Sequence, residues 1–234
     1  MTCLPDTMLK GIGRLGLVRL WDTTDSEYVQ HGEKHIVYTE DGYFVELQRI
    51  LSGEDFSGQL GLDVGCGGGR ISNMLAERGA LMNSVDLAYN SVKHCSLKGM
   101  TNASQANAEH LPYADGTFDF CISTDVVEHV AGYRMILSEI GRVLKPTGTA
   151  YISIPHAYST KNLLMDLVFP AVKGMFFKAL WKKAPVPSRG HLHIFCPEDF
   201  KAFLRDAGME VVKVEGVNLP DVSRNRFIVK PASF

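Results

Sequence analysis

The chain has 234 residues, of which 45% are hydrophobic and 21% charged, and its formal net charge is −2. That length fits one α/β domain able to bury roughly 70% of its unfolded surface, and the near-neutral charge gives no electrostatic footprint for a nucleic-acid partner. The five cysteines (Cys3, Cys66, Cys95, Cys121 and Cys196) are widely spread and form no C-x-x-C. This excludes a zinc-finger spacing and fits reduced thiols in a cytoplasmic protein. The N-terminus lacks the charged segment, apolar core and cleavage site of a signal peptide.

Residues 1–57 read as an N-terminal helical extension. Within it, Gly11-Ile12-Gly13-Arg14-Leu15-Gly16 carries glycines without an acidic strand end and reads as a flexible connector. Residues 42–51 place apolar side chains near helical spacing and stop at Ser52-Gly53, so this helix is expected to pack beside a sheet and help close a cleft. From Leu60 the elements alternate. A strand over 60–65 leads to a helix over 70–78, closed by Gly79. A strand over 80–86 is followed by a helix over 88–98 and a third strand around 103–107. The fourth strand spans 118–123. A helix over 134–145 carries Ile136, Ile140, Val143 and Leu144 on one face. Pro146-Thr147-Gly148 reads as a turn into a strand over 149–154. A helix over 197–207, opened by Pro197 and ended by Gly208, precedes strands over 211–217 and 226–229. This alternation predicts a three-layer, doubly wound and mostly parallel sheet in a single domain, whose ligand sits beyond the carboxyl ends of the strands.

The stretch Asp63-Val64-Gly65-Cys66-Gly67-Gly68-Gly69-Arg70 stands where the first strand meets its helix. Glycines there let the backbone turn tightly and approach a ligand, and the helix N-terminus supplies free N–H groups. A dinucleotide fingerprint places glycines first, third and sixth; counted from Gly65, the sixth place is Arg70. A carboxylate two residues ahead of the turn would also repel a pyrophosphate. It suits a cationic ligand whose carboxylate end is held by the loop amides.

Here the sequence resembles the class I S-adenosylmethionine (SAM)-dependent methyltransferases, whose first motif has this D-x-G-x-G-x-G form. The resemblance implies seven strands with the last inserted antiparallel, a Rossmann-like methyltransferase fold. It implies SAM as cofactor, released as S-adenosylhomocysteine, and a cofactor site at Asp63, Gly65, Cys66 and Gly67. Asp86 ends the second strand, where ribose hydroxyls are good donors to a carboxylate, with Leu87 beside it; its bland alternative is a turn aspartate capping the next helix. Asn107-Ala108-Glu109-His110-Leu111-Pro112-Tyr113 resembles the family's adenine stretch, with asparagine in place of the usual aspartate. The Asn107 carbonyl oxygen can still accept from the adenine amino group, and the Ala108 amide is expected to reach a ring nitrogen. Ser123 is expected to line the methionine end of the cofactor.

Ser123-Thr124-Asp125-Val126-Val127-Glu128-His129-Val130 resembles the corresponding region of ubiquinone-biosynthesis O-methyltransferase-like proteins and the broad type 11 group. Asp125, Glu128 and His129 have spacings that suit one face of a helical turn. Three readings stand: His129 as general base oriented by Glu128, a divalent-metal site, or structural polar residues at a helix start. His156, His191 and His193 lie where substrate clefts form in the family, and each is more often structural. Cys66 suits tight packing and is assigned no nucleophilic role.

Residues 157–190 alternate apolar runs with Lys161, Lys173, Lys178, Lys182, Lys183 and Arg189. They read as a helical lid over an apolar acceptor pocket, as an amphipathic patch on an anionic membrane, or as a dimer contact; Asp166, Pro170 and Lys173 make a membrane span unsuitable. The expected activity is methyl transfer to a small-molecule acceptor of apolar or lipid-like character. The rival classes are an NAD(P)-linked oxidoreductase on the same sheet and a SAM-binding module without catalysis.

Overall fold

The structure is a computed structural model, and it describes residues 40–97, 99–100, 102–155, 192–193, 195–218 and 223–232. The connector at 11–16, His156, His191 and the segment 157–190 lie outside the described residues. So does all of the N-terminal extension before Glu40.

The described elements run α1 (Glu40–Leu51), β1 (Leu60–Val64), α2 (Arg70–Glu77), β2 (Leu81–Asp86), α3 (Tyr89–Leu97), β3 (Ala103–Gln105) and β4 (Phe118–Thr124). A single 3-10 turn over Val127–His129 follows, then α4 (Tyr133–Val143), β5 (Leu144–Pro155), α5 (Pro197–Asp206), β6 (Met209–Asn218) and β7 (Ser223–Pro231). The sheet order is β3-β2-β1-β4-β5-β7-β6. Strands β1 to β5 pair in parallel, and β7 enters antiparallel between β5 and β6. This is the sheet that the sequence predicts.

Strand alternation divides the core between the two faces. Leu62 and Val64 join Val85, Cys121 and Ile152 beneath α4 and α5, where Ile136, Leu137, Ile140, Phe200 and Leu204 are buried. On the other face, Met82, Phe120 and Ile122 pack against Leu47 and Leu51 of α1 and Met74 and Leu75 of α2. Gly61 belongs to this second face for a local reason. A Cβ there would stand 2.2 Å from the Phe120 ring, so the small residue makes room for the aromatic core rather than for a turn. Helix α1 does pack beside the sheet, and Arg70 at the start of α2 lies 3.9 Å from the centroid of the Phe44 ring of α1.

Most boundaries shift by one to three residues from the sequence reading, and two differences have a clear local cause. Strand β3 stops at Gln105, because the Ala106 amide turns to the Asp86 carbonyl at the end of β2. Pro146-Thr147-Gly148 does not separate α4 from the next strand. Strand β5 begins at Leu144, paired with Phe118, and the register then jumps to Phe120 opposite Thr149. The predicted turn is thus a bulge within one strand, with the extra residues looped out beside the edge of β4.

Candidate functional site

The carboxyl ends of β1, β2 and β4 converge where the parallel strands give way to loops, and most of the predicted site residues lie there. Gly65, Gly67 and Gly69 all have positive φ, at 77°, 49° and 73°. A Cβ on Gly65 would meet Val126 at 2.3 Å, and one on Gly69 would meet the Met100 and Cys95 sulfurs at 2.5 and 2.8 Å. These two glycines are therefore packed from outside the loop. Gly67 differs: nothing lies within 4 Å of its would-be Cβ, which points into open space. The loop keeps a bare backbone on its open side while its flanks are filled, the shape a close-lying ligand needs.

Asp63 is 1% exposed and accepts a hydrogen bond from the Ser72 hydroxyl on the first turns of α2. Ser72 in turn accepts one from Ser84 of β2, at 2.8 Å. The second Asp63 oxygen, Oδ1, is buried without a hydrogen-bond partner among the described residues. Burial is the main cause that pushes the Asp63 carboxyl up to about 7, and the neighbouring Asp86 adds to it. Sequence reading takes Asp63 as a standing negative charge at the strand mouth. Burial and the neighbouring Asp86 work against that charge, while the Ser72 hydrogen bond supports it.

Asp86 closes the loop from the β2 side. Its Oδ2 accepts from the Gly67 amide and its Oδ1 from the Ala88 amide, each at 2.8 Å. One carboxylate thus fixes the glycine loop and caps the turn into α3; the capping alternative raised from sequence is present in the geometry alongside the open edge of the site. Leu87, next to it, is partly exposed. Cys66 donates to the Gly67 carbonyl at 3.7 Å, and Cys95 donates to the same oxygen at 3.3 Å. The contact with Cys95, followed by burial, holds the Cys66 thiol far above the usual range, which suits packing and not nucleophilic chemistry.

Asn107 and Ala108 follow β3. Asn107 Oδ1 accepts from the Glu109 amide at 3.0 Å, an Asx turn, and Glu109 in turn accepts from the Gly132 amide at the start of α4 at 3.1 Å. Ser123 is wholly buried and its hydroxyl has no partner among the described residues. Immediately beyond β4, Asp125 adopts φ 56°, the positive-φ non-glycine residue among those described. Its amide donates to the Ser153 carbonyl at 3.2 Å, so the end of β4 stays tied to β5 through the reversal.

The 3-10 turn then presents Glu128, fully buried, with His129 Nε2 3.9 Å from Glu128 Oε1. The Glu128 backbone carbonyl accepts from the Leu192 and His193 amides at 2.8 and 3.0 Å. His193 itself stacks with Phe195 and meets the edge of Tyr133, which places it in an aromatic wedge. Among the described residues no group of three or more His, Cys, Asp and Glu side chains is arranged to hold a metal ion. No described helix is long and apolar enough to cross a membrane.

Sequence reasoning missed Ser72, Ser84, Val126 and Met100, which shape the site from behind. Their sole signal is position, for none has an unusual residue type. It also missed the fixing role of Glu109 and of α4.

A family model described as a methyltransferase domain matches residues 62–152. A ubiquinone biosynthesis O-methyltransferase of Xanthomonas oryzae pv. oryzae is 30% identical over 188 residues, covering 78% of this chain and 75% of the relative. The enzyme of the same name from Methylococcus capsulatus is 27% identical over 179 residues, 74% of this chain and 72% of its own. Among solved structures, magnesium protoporphyrin IX methyltransferase from Synechocystis PCC 6803 with bound S-adenosylhomocysteine superposes with a TM-score of 0.70 at 16% identity, covering 94% of this chain and 100% of that one. A Pyrococcus horikoshii protein gives 0.64 at 18% identity, covering 88% and 98%.

The chain is a class I SAM-dependent methyltransferase, with the seven-stranded Rossmann-like sheet of that class and SAM as its cofactor. Within the class it belongs to the group that contains the ubiquinone-biosynthesis O-methyltransferases, at modest identity.

Proposed function

We propose that this methyltransferase acts on a hydroxyl group of a small, apolar acceptor, with His129 as the proton-accepting side chain. The observation that carries the reading is the Glu128–His129 pair on the turn directly beyond β4. It follows Ser123 and Asp125 in the chain, just beyond the carboxyl end of β4.

The residues present fit SAM. The bare face of Gly67, the buried Asp63 oxygen and the buried Ser123 hydroxyl leave space and polar partners of the right kind. On this reading Asp63 offsets the charge of the ammonium, Asp86 accepts from ribose hydroxyls, and Asn107 with Ala108 reads adenine. When bound, SAM supplies an electrophilic methyl group on a positively charged sulfur. The protein aligns the acceptor oxygen opposite that leaving sulfur, and such alignment supplies up to about 7–11 kcal/mol of a displacement barrier. His129 takes the acceptor's proton, while the buried Glu128 carboxylate favours the imidazolium that results. The apolar character of the acceptor is suggested by the sequence of residues 157–190, whose apolar runs alternate with lysines. The hydroxyl acceptor is suggested by the similar O-methyltransferases.

Release of S-adenosylhomocysteine is the test, measured with catechols bearing short and long alkyl tails against amine, carboxylate and carbon acceptors of matched size. Turnover confined to the phenolic acceptors, and rising with tail length, is expected. Equal or greater turnover with an amine or carbon acceptor refutes the reading.

A further inference from the structure

The loop that carries Asn107 and Ala108 is held by one side chain some distance away. Arg142, on the last turn of α4, forms a two-pronged pair with Glu139: Nε to Oε1 at 2.7 Å and Nη2 to Oε2 at 2.8 Å. The same guanidinium donates to the Leu111 carbonyl at 3.1 Å, the Tyr113 carbonyl at 2.8 Å and an Asp115 oxygen at 2.7 Å. Glu139 Oε2 also accepts from the Leu111 amide at 2.7 Å. Both backbone polar groups of Leu111 are thus closed by a single ion pair, and its side chain is anchored in the core. At the other end of α4, the Gly132 amide donates to Glu109, which also meets the Asn107 side chain. Helix α4 therefore splints the loop at two points about two to three helical turns apart.

We infer that Arg142, through Glu139 and Asp115, is a positioning residue for adenine: it sets the place of the 107–113 loop and so the selectivity of the cofactor site, without touching substrate or cofactor. The inference rests on the proposed adenine contact at Asn107 and Ala108. The physical reason is that a planar fork fixes both the distance and the angle of its partners. A lysine ammonium at the same place can keep one contact but not the five-donor pattern. A loop that reads an amino group by one hydrogen bond loses selectivity when its backbone shifts by a fraction of an ångström.

The test compares inhibition by S-adenosylhomocysteine with inhibition by its 6-deamino analogue, whose purine carries a hydrogen in place of the adenine amino group and keeps the ring nitrogens as acceptors. The wild type is expected to favour the former by about tenfold, the worth of one hydrogen bond and the partner it leaves unpaired. Asn107→Ala is expected to abolish that preference, and Arg142→Lys to reduce it to about threefold or less, with kcat at saturating SAM within about twofold of wild type. No preference in the wild type, or an undiminished one in Asn107→Ala, defeats the adenine reading itself. A preference lost in Asn107→Ala but kept in Arg142→Lys defeats the positioning inference, as does equal weakening of both inhibitors with their ratio intact. Should Arg142→Lys not fold, Asp115→Asn stands in, since that side chain is 79% exposed and supplies one leg of the clamp. A preference reduced in Asp115→Asn supports the inference, and one equal to wild type overturns it.

Discussion

Replacing Asp63 by asparagine tests the electrostatics of the site at a buried carboxyl. Folding raises this carboxyl from 3.8 to about 7, chiefly by burial. The unfolded chain therefore releases the proton at lower pH than the folded one, and the native state binds more protons between the two values. Stability falls as pH rises through that window, and the loss is complete above the folded value. Integrated from 3.8 to 7, the change is about 4 kcal/mol, of which about 2.5 kcal/mol falls between pH 5 and pH 8. Asparagine has no such dependence. The variant should therefore gain on the wild type by about 5–10 °C in melting temperature between pH 5 and pH 8, for a chain of this size and without SAM. The expected comparison at pH 5 is less favourable to the variant, because the wild-type carboxyl is mostly neutral there and the new amide brings buried N–H groups that need acceptors. Thermal unfolding of both proteins over pH 5–8 reads the difference directly. A melting-temperature gap that does not change with pH, or changes in the opposite sense, refutes the account. The same reasoning gives a binding signature under the proposed contact with the cofactor's ammonium group. SAM binding at pH 6 should expel close to one proton and at pH 8 about a tenth of one, as calorimetry in buffers of different ionisation enthalpy measures.

Further outcomes follow from the geometry. Gly65→Ala forces a positive-φ alanine against Val126 and should lower the melting temperature by several degrees, whereas Gly67→Ala costs about 1 kcal/mol in backbone strain but should cut SAM affinity at least about tenfold, because its methyl enters open space; normal SAM binding by Gly67→Ala would remove the loop's open face from the cofactor site. Asp86→Ala breaks the hydrogen bonds from the Gly67 and Ala88 amides and removes the carboxylate proposed to meet ribose, so SAM affinity measured by calorimetry should fall by a factor of about 10²; unchanged affinity counts against the ribose contact. His129→Ala should lower kcat with a phenolic acceptor about 10²-fold or more while leaving SAM affinity within about twofold, and an unaltered kcat would take His129 out of the chemistry.

Periodicity and punctuation made most of the fold legible in the sequence. Gly79, Gly99 and Gly208 end helices or their following turns with positive φ, as their positions suggest, and Pro197 opens α5 with Glu198 and Asp199 in its first turn. Pro146-Thr147-Gly148 misled, because the same residues that make a turn also make a bulge, and the pairing partner across β4 decides between them. The antiparallel insertion of β7 came from the resemblance to a family, since two adjacent strand patterns do not by themselves reveal which neighbour each will pair with.

The linear order by itself determined the glycine loop, the acidic ends of β1 and β2, and the run from Asn107 to Tyr113, because each is a short-range pattern whose chemistry is carried by neighbouring residues. Folding alone decided how those patterns are fixed in space. The charge at Asp63 depends on burial and on Ser72, Gly65 is fitted to Val126 across the strand ends, and the 107–113 loop hangs from Arg142 far along the chain. Such contacts are set by packing between elements distant in sequence, and dielectric surroundings and hydrogen-bond partners exist only once the layers have closed.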